Sequence, residues 1–206
     1  MSSRLVIGID QSYASTGIGI AIDGKLVHCH SERFYGIGKE DKISKRKHLR
    51  EMVRRYIVKA IGKGYDVEIY YERLRTRTGG AQSLKYLPMT AMLIGGVIDM
   101  AHDYGVKCYS VMTTSWKART CGTTNKTDMK KYNAQMRDKP QKAKAVDYIE
   151  SMGFDCSLYN EDGEQQFFKS GERKGVRKED DDKADAGCIA LYGFIPESTQ
   201  SKILEI

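Results

Sequence analysis

A chain of 206 residues, 40% hydrophobic, 30% charged and with only three prolines, carries enough apolar side chains for one packed core, which excludes two full domains and broad disorder. Its 34 Lys and Arg against 27 Asp and Glu leave a net charge of +7, a balance that suits a polyanionic partner. The longest apolar stretch, 87–101, is interrupted by Pro88, Thr90, two glycines and Asp99, which excludes a bilayer-spanning helix.

Leu5 to Ile9 is a short continuous apolar run, the pattern of a strand buried on both faces, and Asp10 ends it. Gly17 to Ile22 then alternate glycine and isoleucine before Asp23-Gly24, a type I′ hairpin signal, and 25–34 return as a third antiparallel strand. From Lys42 to Ile61, apolar residues recur at helical spacing with bases between them, so the spacing predicts a basic amphipathic helix stopped by Gly62 and Gly64. Val67 to Tyr71 form another buried strand, which terminates in Glu72. A basic loop is expected at 73–80 and a small-residue helix at 81–104, followed by a strand over 106–111. Thr113 or Thr114 is placed to cap a turn beginning near Ser115, Trp116 and Lys117. Residues 119–140 are polar and weakly patterned and read as a projecting insertion; 141–152 return to a helix, 155–181 are irregular, and Asp182 to Tyr192 read as a final helix.

Charge is unevenly spread along this order. Residues 39–63 and 117–144 each carry +7, whereas 161–185 carry −3. Basic tracts around a small acidic set suit a protein that holds a polyanion and performs metal chemistry on it. Asp10 and Glu72 end two strands, and Asp182 and Asp185, three apart on a helix, share a face. Neighbouring strands lie about 5 Å apart, so these carboxylates can converge on one pocket, where their repulsion calls for hard cations such as Mg²⁺ or Mn²⁺. Two such ions clamp the attacking water and the leaving oxygen of a phosphodiester displacement. Gly17 and Gly19 leave room for a backbone or a phosphate to approach Asp10. Five cysteines without a CxxC pair, and an amino terminus without a long apolar leader, lead to the expectation of a cytoplasmic protein with reduced thiols and no membrane association.

The segments GIDQSYASTGIGIA, YYER and DDDKADAGCIALYG, in this order, resemble the RuvC-type Holliday junction resolvases of the ribonuclease H-like superfamily. Residues 4–194 can be laid against that family, and the longer stretches near 119–140 and 155–181 look like those of bacteriophage or viral representatives, for which the compartment is the host cytoplasm. The resemblance implies one α/β domain over 1–206, a five-stranded mixed sheet flanked by helices. It implies Asp10, Glu72, Asp182 and Asp185 as ligands of two Mg²⁺ per site, with Mn²⁺ as substitute and Asp180 and Asp181 competing for the third position. Functional lysines map to Lys117 and Lys142, with Lys144 as a rival to the second. Some family members carry an aromatic wedge three residues beyond the strand-end glutamate; here that residue is Arg75, and Tyr86 or Trp116 is the available substitute. Branched DNA is the implied partner, met by Arg73, Arg75, Arg77, Lys45, Arg46 and Lys47 together with the two lysines. A homodimer is implied as well, with the face bearing Met89, Met92 and Met100 as its candidate surface. The expected activity is a magnesium-dependent endonuclease of the crossover-junction type that nicks Holliday junctions or other branched DNA; a non-catalytic branched-DNA binding module of the same fold is the alternative. An actin-like phosphotransferase is disfavoured, because 206 residues leave no room for a duplicated lobe.

Overall fold

Because side chains alternate across an extended strand, each strand here serves two different layers. The structure is a computed structural model that describes residues 2–12, 14–34, 41–74, 81–196 and 204–205, with 81–86 and 204–205 as backbone only. Strands β1 (Arg4–Asp10), β2 (Ser15–Ile22) and β3 (Lys25–Arg33) form an antiparallel meander. Its second hairpin, between β2 and β3, turns through Asp23 (φ 47°) and Gly24 (φ 81°), the two left-handed residues that a type I′ turn requires. Strand β4 (Asp66–Glu72) runs parallel to β1, and β5 (Lys107–Val111) parallel to β4. The expected five-stranded mixed sheet is therefore present, in the order β3-β2-β1-β4-β5, with a two-residue strand β6 (Leu204–Glu205) added antiparallel at its edge.

Leu5, Ile7 and Ile9 of β1 pack with Ile18, Ile20, Ile69 and Tyr71 beneath α1 (Lys42–Gly62) and α2 (Ala81–Asp103). Met89 and Met100 are buried on this side, so two of the three methionines expected at a dimer surface are used in the core, while Met92 is half-buried. Val6 and Tyr70 face the other way, onto α5 (Ala143–Ser151) and α6 (Asp181–Tyr192). On that side Gly8, Gly17 and Gly19 make a floor without side chains. A Cβ at Gly19 would stand 2.7 Å from the Gly187 Cα, and one at Gly8 2.8 Å from the Ala190 Cα, so α6 lies directly on sheet backbone.

The segment 119–140 does not simply project. After α3 (Thr113–Arg119) it forms α4 (Lys126–Ala134), started by a capping box between Asn125 and Asp128 and anchored by buried Tyr132. Residues 155–181 fold back on themselves through bridges pairing Ser157 with Glu179, Tyr159 with Gln165 and Phe167 with Arg177. Both segments meet in a network of charges. Arg137 donates to Asp147 at 2.7 Å and to Glu179, whose side chain is 2% exposed, and Arg177 grips Glu150 at 2.7 and 2.8 Å. Removing one partner of a buried ion pair leaves an uncompensated charge, so Arg137→Ala is expected to lower unfolding stability by about 3 kcal/mol in urea denaturation. A loss within about 0.5 kcal/mol, the range of surface substitutions, would show that Arg177, 3.8 Å from Glu179, holds it alone.

Candidate active site

Asp10 closes β1 on the face of Val6 and Gly8, and its cross-strand partner in β2 is Gly17. Gly8 stands opposite Tyr70 in β4, so Glu72, two residues further on, ends β4 on the same face. α6 begins over these strand ends. Asp180 caps it by accepting from the Lys183 N–H at 3.1 Å, which sets Asp181, Asp182 and Asp185 in its first turns. The helix can descend there because residue 17 is glycine: a Cβ would stand 2.5 Å from the carbonyl carbon of Asp182. Of the two approaches that Gly17 and Gly19 permit, the one observed is that of the α6 backbone.

The electrostatics identify one cluster. Burial pushes the Asp10 carboxyl well above its ordinary value, and the neighbouring charges of Asp185, Glu72 and Asp182 add to the rise. Asp182 is raised by burial and by Asp181. Asp185 is pushed up to about 6, by burial first, against the opposing pull of Lys142 and Lys117. Asp181 behaves oppositely, because Lys142 and Lys139 outweigh its burial and hold it below the usual range.

Lys142, at the start of α5, bonds Asp181 and lies 3.3 Å from the Asp185 carboxylate; Lys117, in α3, lies 3.8 Å from the same group. Burial disfavours the Lys142 charge, but Asp185, Asp10 and Asp181 together raise its pKa. Lys144 points elsewhere, to Asp128 at 2.7 Å and the Thr123 carbonyl at 3.0 Å. Lys139 also reaches Asp181 and was not among the sequence candidates. Nor were the groups that orient Glu72: the Thr113 hydroxyl and the Trp116 indole N–H (3.3 Å) donate to its two oxygens, and Gln11 donates to its carbonyl. The expected threonine cap is thus absent, since α3 starts at Thr113 behind Met112 with no side-chain cap, and the Thr113 hydroxyl serves Glu72 instead.

Other expectations fare differently. Trp116 is fully buried and so is no wedge, and the Tyr86 side chain lies outside the described residues, as do Arg75 and Arg77. Arg73 leans on Ser110 at 3.4 Å. Lys45, expected to meet phosphate, is only 4% exposed and sits 5.5 Å over the Phe34 ring, a site that a phosphate does not reach. Arg46 pairs with Asp99 at 3.3 Å and Lys47 is exposed; α1, which carries all three, packs on the sheet face opposite α6.

For a divalent ion the donor chemistry fits. The acids offer only hard carboxylate oxygens, and the Asp185 Oδ1 is buried with no hydrogen-bond partner. Among the described residues, however, no three Asp, Glu, His or Cys side chains stand together as a metal-holding group. The Lys142 ammonium supplies positive charge among the acids instead.

A pH dependence follows. The folded Asp185 pKa of about 6 exceeds the ordinary 3.8, so the folded protein binds the extra proton between these values. Metal-free stability is expected to rise as pH falls from about 7 toward 4, by no more than a few kcal/mol. Asp185→Asn should flatten that slope in denaturation curves taken across the range; an unchanged slope would assign it to another group.

No protein-family model matches the chain, and no curated protein sequence does. Among solved structures, it is similar to RuvC of Thermus thermophilus, with 17% identity over 97% of this chain and 99% of that one and a TM-score of 0.53. It is likewise similar to T. thermophilus RuvC in complex with Holliday junction substrate, with 13% identity over 92% and 91% and a TM-score of 0.53. Over almost its whole length, the chain, a mixed sheet flanked by helices, therefore has the fold of these RuvC structures.

Proposed function

We propose that this chain is a metal-dependent, structure-selective endonuclease that resolves Holliday junctions or other branched DNA by nicking phosphodiester bonds. One observation carries the reading: two strand-end acids and the acidic start of α6 form a single repelling cluster bordered by lysines, in a fold whose solved examples include a junction-bound resolvase.

Asp10, Glu72, Asp182 and Asp185 are the residues that would hold two Mg²⁺, or Mn²⁺ in their place. Bound there, the ions supply an activated water and stabilise the leaving oxygen. The chain's own groups do the rest. Thr113 and Trp116 fix the rotamer of Glu72, so that carboxylate is presented without reorganisation. Asp181 is a positioning residue that tethers Lys142 and Lys139 at the rim, where their charge holds the scissile phosphate. Lys117 adds a second charge from the α3 side. A four-way junction has two strands to cut and near two-fold symmetry, which a symmetric homodimer with one site per protomer matches.

The test is cleavage of a panel of four-way, three-way, forked and linear DNAs with Mg²⁺, Mn²⁺ or Ca²⁺. Nicking of branched substrates with Mg²⁺ or Mn²⁺ is expected, and turnover of linear duplex at the same rate overturns the reading. A second reading, non-catalytic binding of branched DNA, is favoured by the Lys142 ammonium already standing between Asp181 and Asp185. Junction binding without metal-dependent cleavage establishes it.

A further inference from the structure

The wedge position of the resembled family holds an arginine, and Trp116 is sealed in the core. A different aromatic is presented to solvent on the segment that leads into the acidic start of α6. Of the five phenylalanines, Phe167 alone is exposed, with 45% of its surface accessible. It sits on the folded-back ribbon that runs from Ser157 to Glu179 and enters α6 directly.

This ribbon is built as a presenting arm. The Phe168 N–H donates to the Val176 carbonyl and the Gly175 N–H to the Phe168 carbonyl, and Gly171 (φ 76°) and Gly175 (φ 83°) turn its tip. Phe168 is half-buried under the Arg173 guanidinium, 4.1 Å from its ring centre, and Lys178, at 5.4 Å. Arg173 also donates to the Asp138 carbonyl at 3.0 Å, next to Lys139, which holds Asp181. The arm is thus rooted at the rim of the acidic cluster. Beyond the root, Lys169 and Lys174 are exposed, and Glu172 is the only acid between Gln165 and Lys178. An exposed aromatic ring and exposed lysines carried on one arm fit the two parts of an unpaired nucleotide, a base face and a phosphate. A protein partner would have to desolvate those same lysines to cover the ring.

We propose that the 157–179 ribbon is a nucleic-acid contact arm on which Phe167 stacks against an unpaired base at a DNA branch point while Lys169 and Lys174 hold the adjacent phosphates. This rests on the branched-DNA reading above.

The test uses the full chain, without added divalent ions, and four-way junctions carrying 2-aminopurine beside the branch point. Wild type is expected to change the 2-aminopurine emission and to prefer the junction over linear duplex. Phe167→Ala should abolish the emission change and weaken junction binding roughly tenfold while duplex affinity stays within about twofold, and Phe167→Trp should restore both. Lys169→Ala/Lys174→Ala should weaken both DNAs and reduce the dependence of log affinity on log salt by about 2. Unchanged emission and discrimination in Phe167→Ala, or an unchanged salt slope in the lysine variant, overturns the proposal. If wild type cuts junctions but these variants bind as it does, the arm is refuted and the nuclease stands. If wild type shows the stacking signature but cuts nothing with Mg²⁺ or Mn²⁺, the nuclease is refuted and the arm stands.

Discussion

Asp10→Asn is expected to abolish junction nicking, by roughly 10³-fold or more, while junction affinity measured in Ca²⁺ stays within about twofold. Burial first, and then the charges of Asp185, Glu72 and Asp182, raise the Asp10 pKa, so a neutralising ion would favour its charged form. The amide keeps the shape and removes the charge. Relief of that repulsion also makes the metal-free variant at least as stable as wild type at neutral pH, which separates lost chemistry from lost folding. Gel-based nicking, fluorescence anisotropy and a denaturation curve on one preparation check all three. Equal loss of cutting and binding would remove Asp10 from the catalytic set.

The second large effect comes from a residue with no side chain. Gly17→Ala places a Cβ against the carbonyl group of Asp182, and backbone at a helix start does not yield as a flexible side chain does. Either α6 lifts from the sheet or β2 bends away. The expected cost is about 3 kcal/mol or more in denaturation, with nicking lost because the acids of α6 leave Asp10. Gly95→Ala is the control, since nothing lies within 4 Å of a Cβ there and its place inside α2 makes alanine the better helix former by about 1 kcal/mol. Similar effects at both positions would mean that α6 is not seated on the sheet as described.

The sheet was legible because its central strands are short continuous apolar runs bounded by turn residues. Asp10 and Glu72 each follow an apolar run, but it is the β1–β4 register, with Gly8 beside Tyr70, that sends both to one face. The acids of α6 were only half legible. Asp182 is three residues before Asp185 and Asp181 four before it, and both spacings share a helix face, so spacing does not separate them. Their surroundings differ only in the folded chain, where Asp181 is bound by Lys139 and Lys142 and Asp182 acts on Asp10. Lys139 and Arg137 lie in a stretch without apolar rhythm, where only the folded chain shows that their partners wait some forty residues downstream. Lys45 misled for the opposite reason. It belongs to a run of bases, but its position on the helix turns it inward to Phe34.

The chain has one tryptophan, and the fold has placed it where its indole N–H touches Glu72. Beside thirteen tyrosines, which red-edge excitation leaves dark, the protein thereby carries a single indole, and it stands at the carboxylate cluster. Light absorbed by that one ring reports from the carboxylate cluster alone, without an attached dye and without background from a second indole.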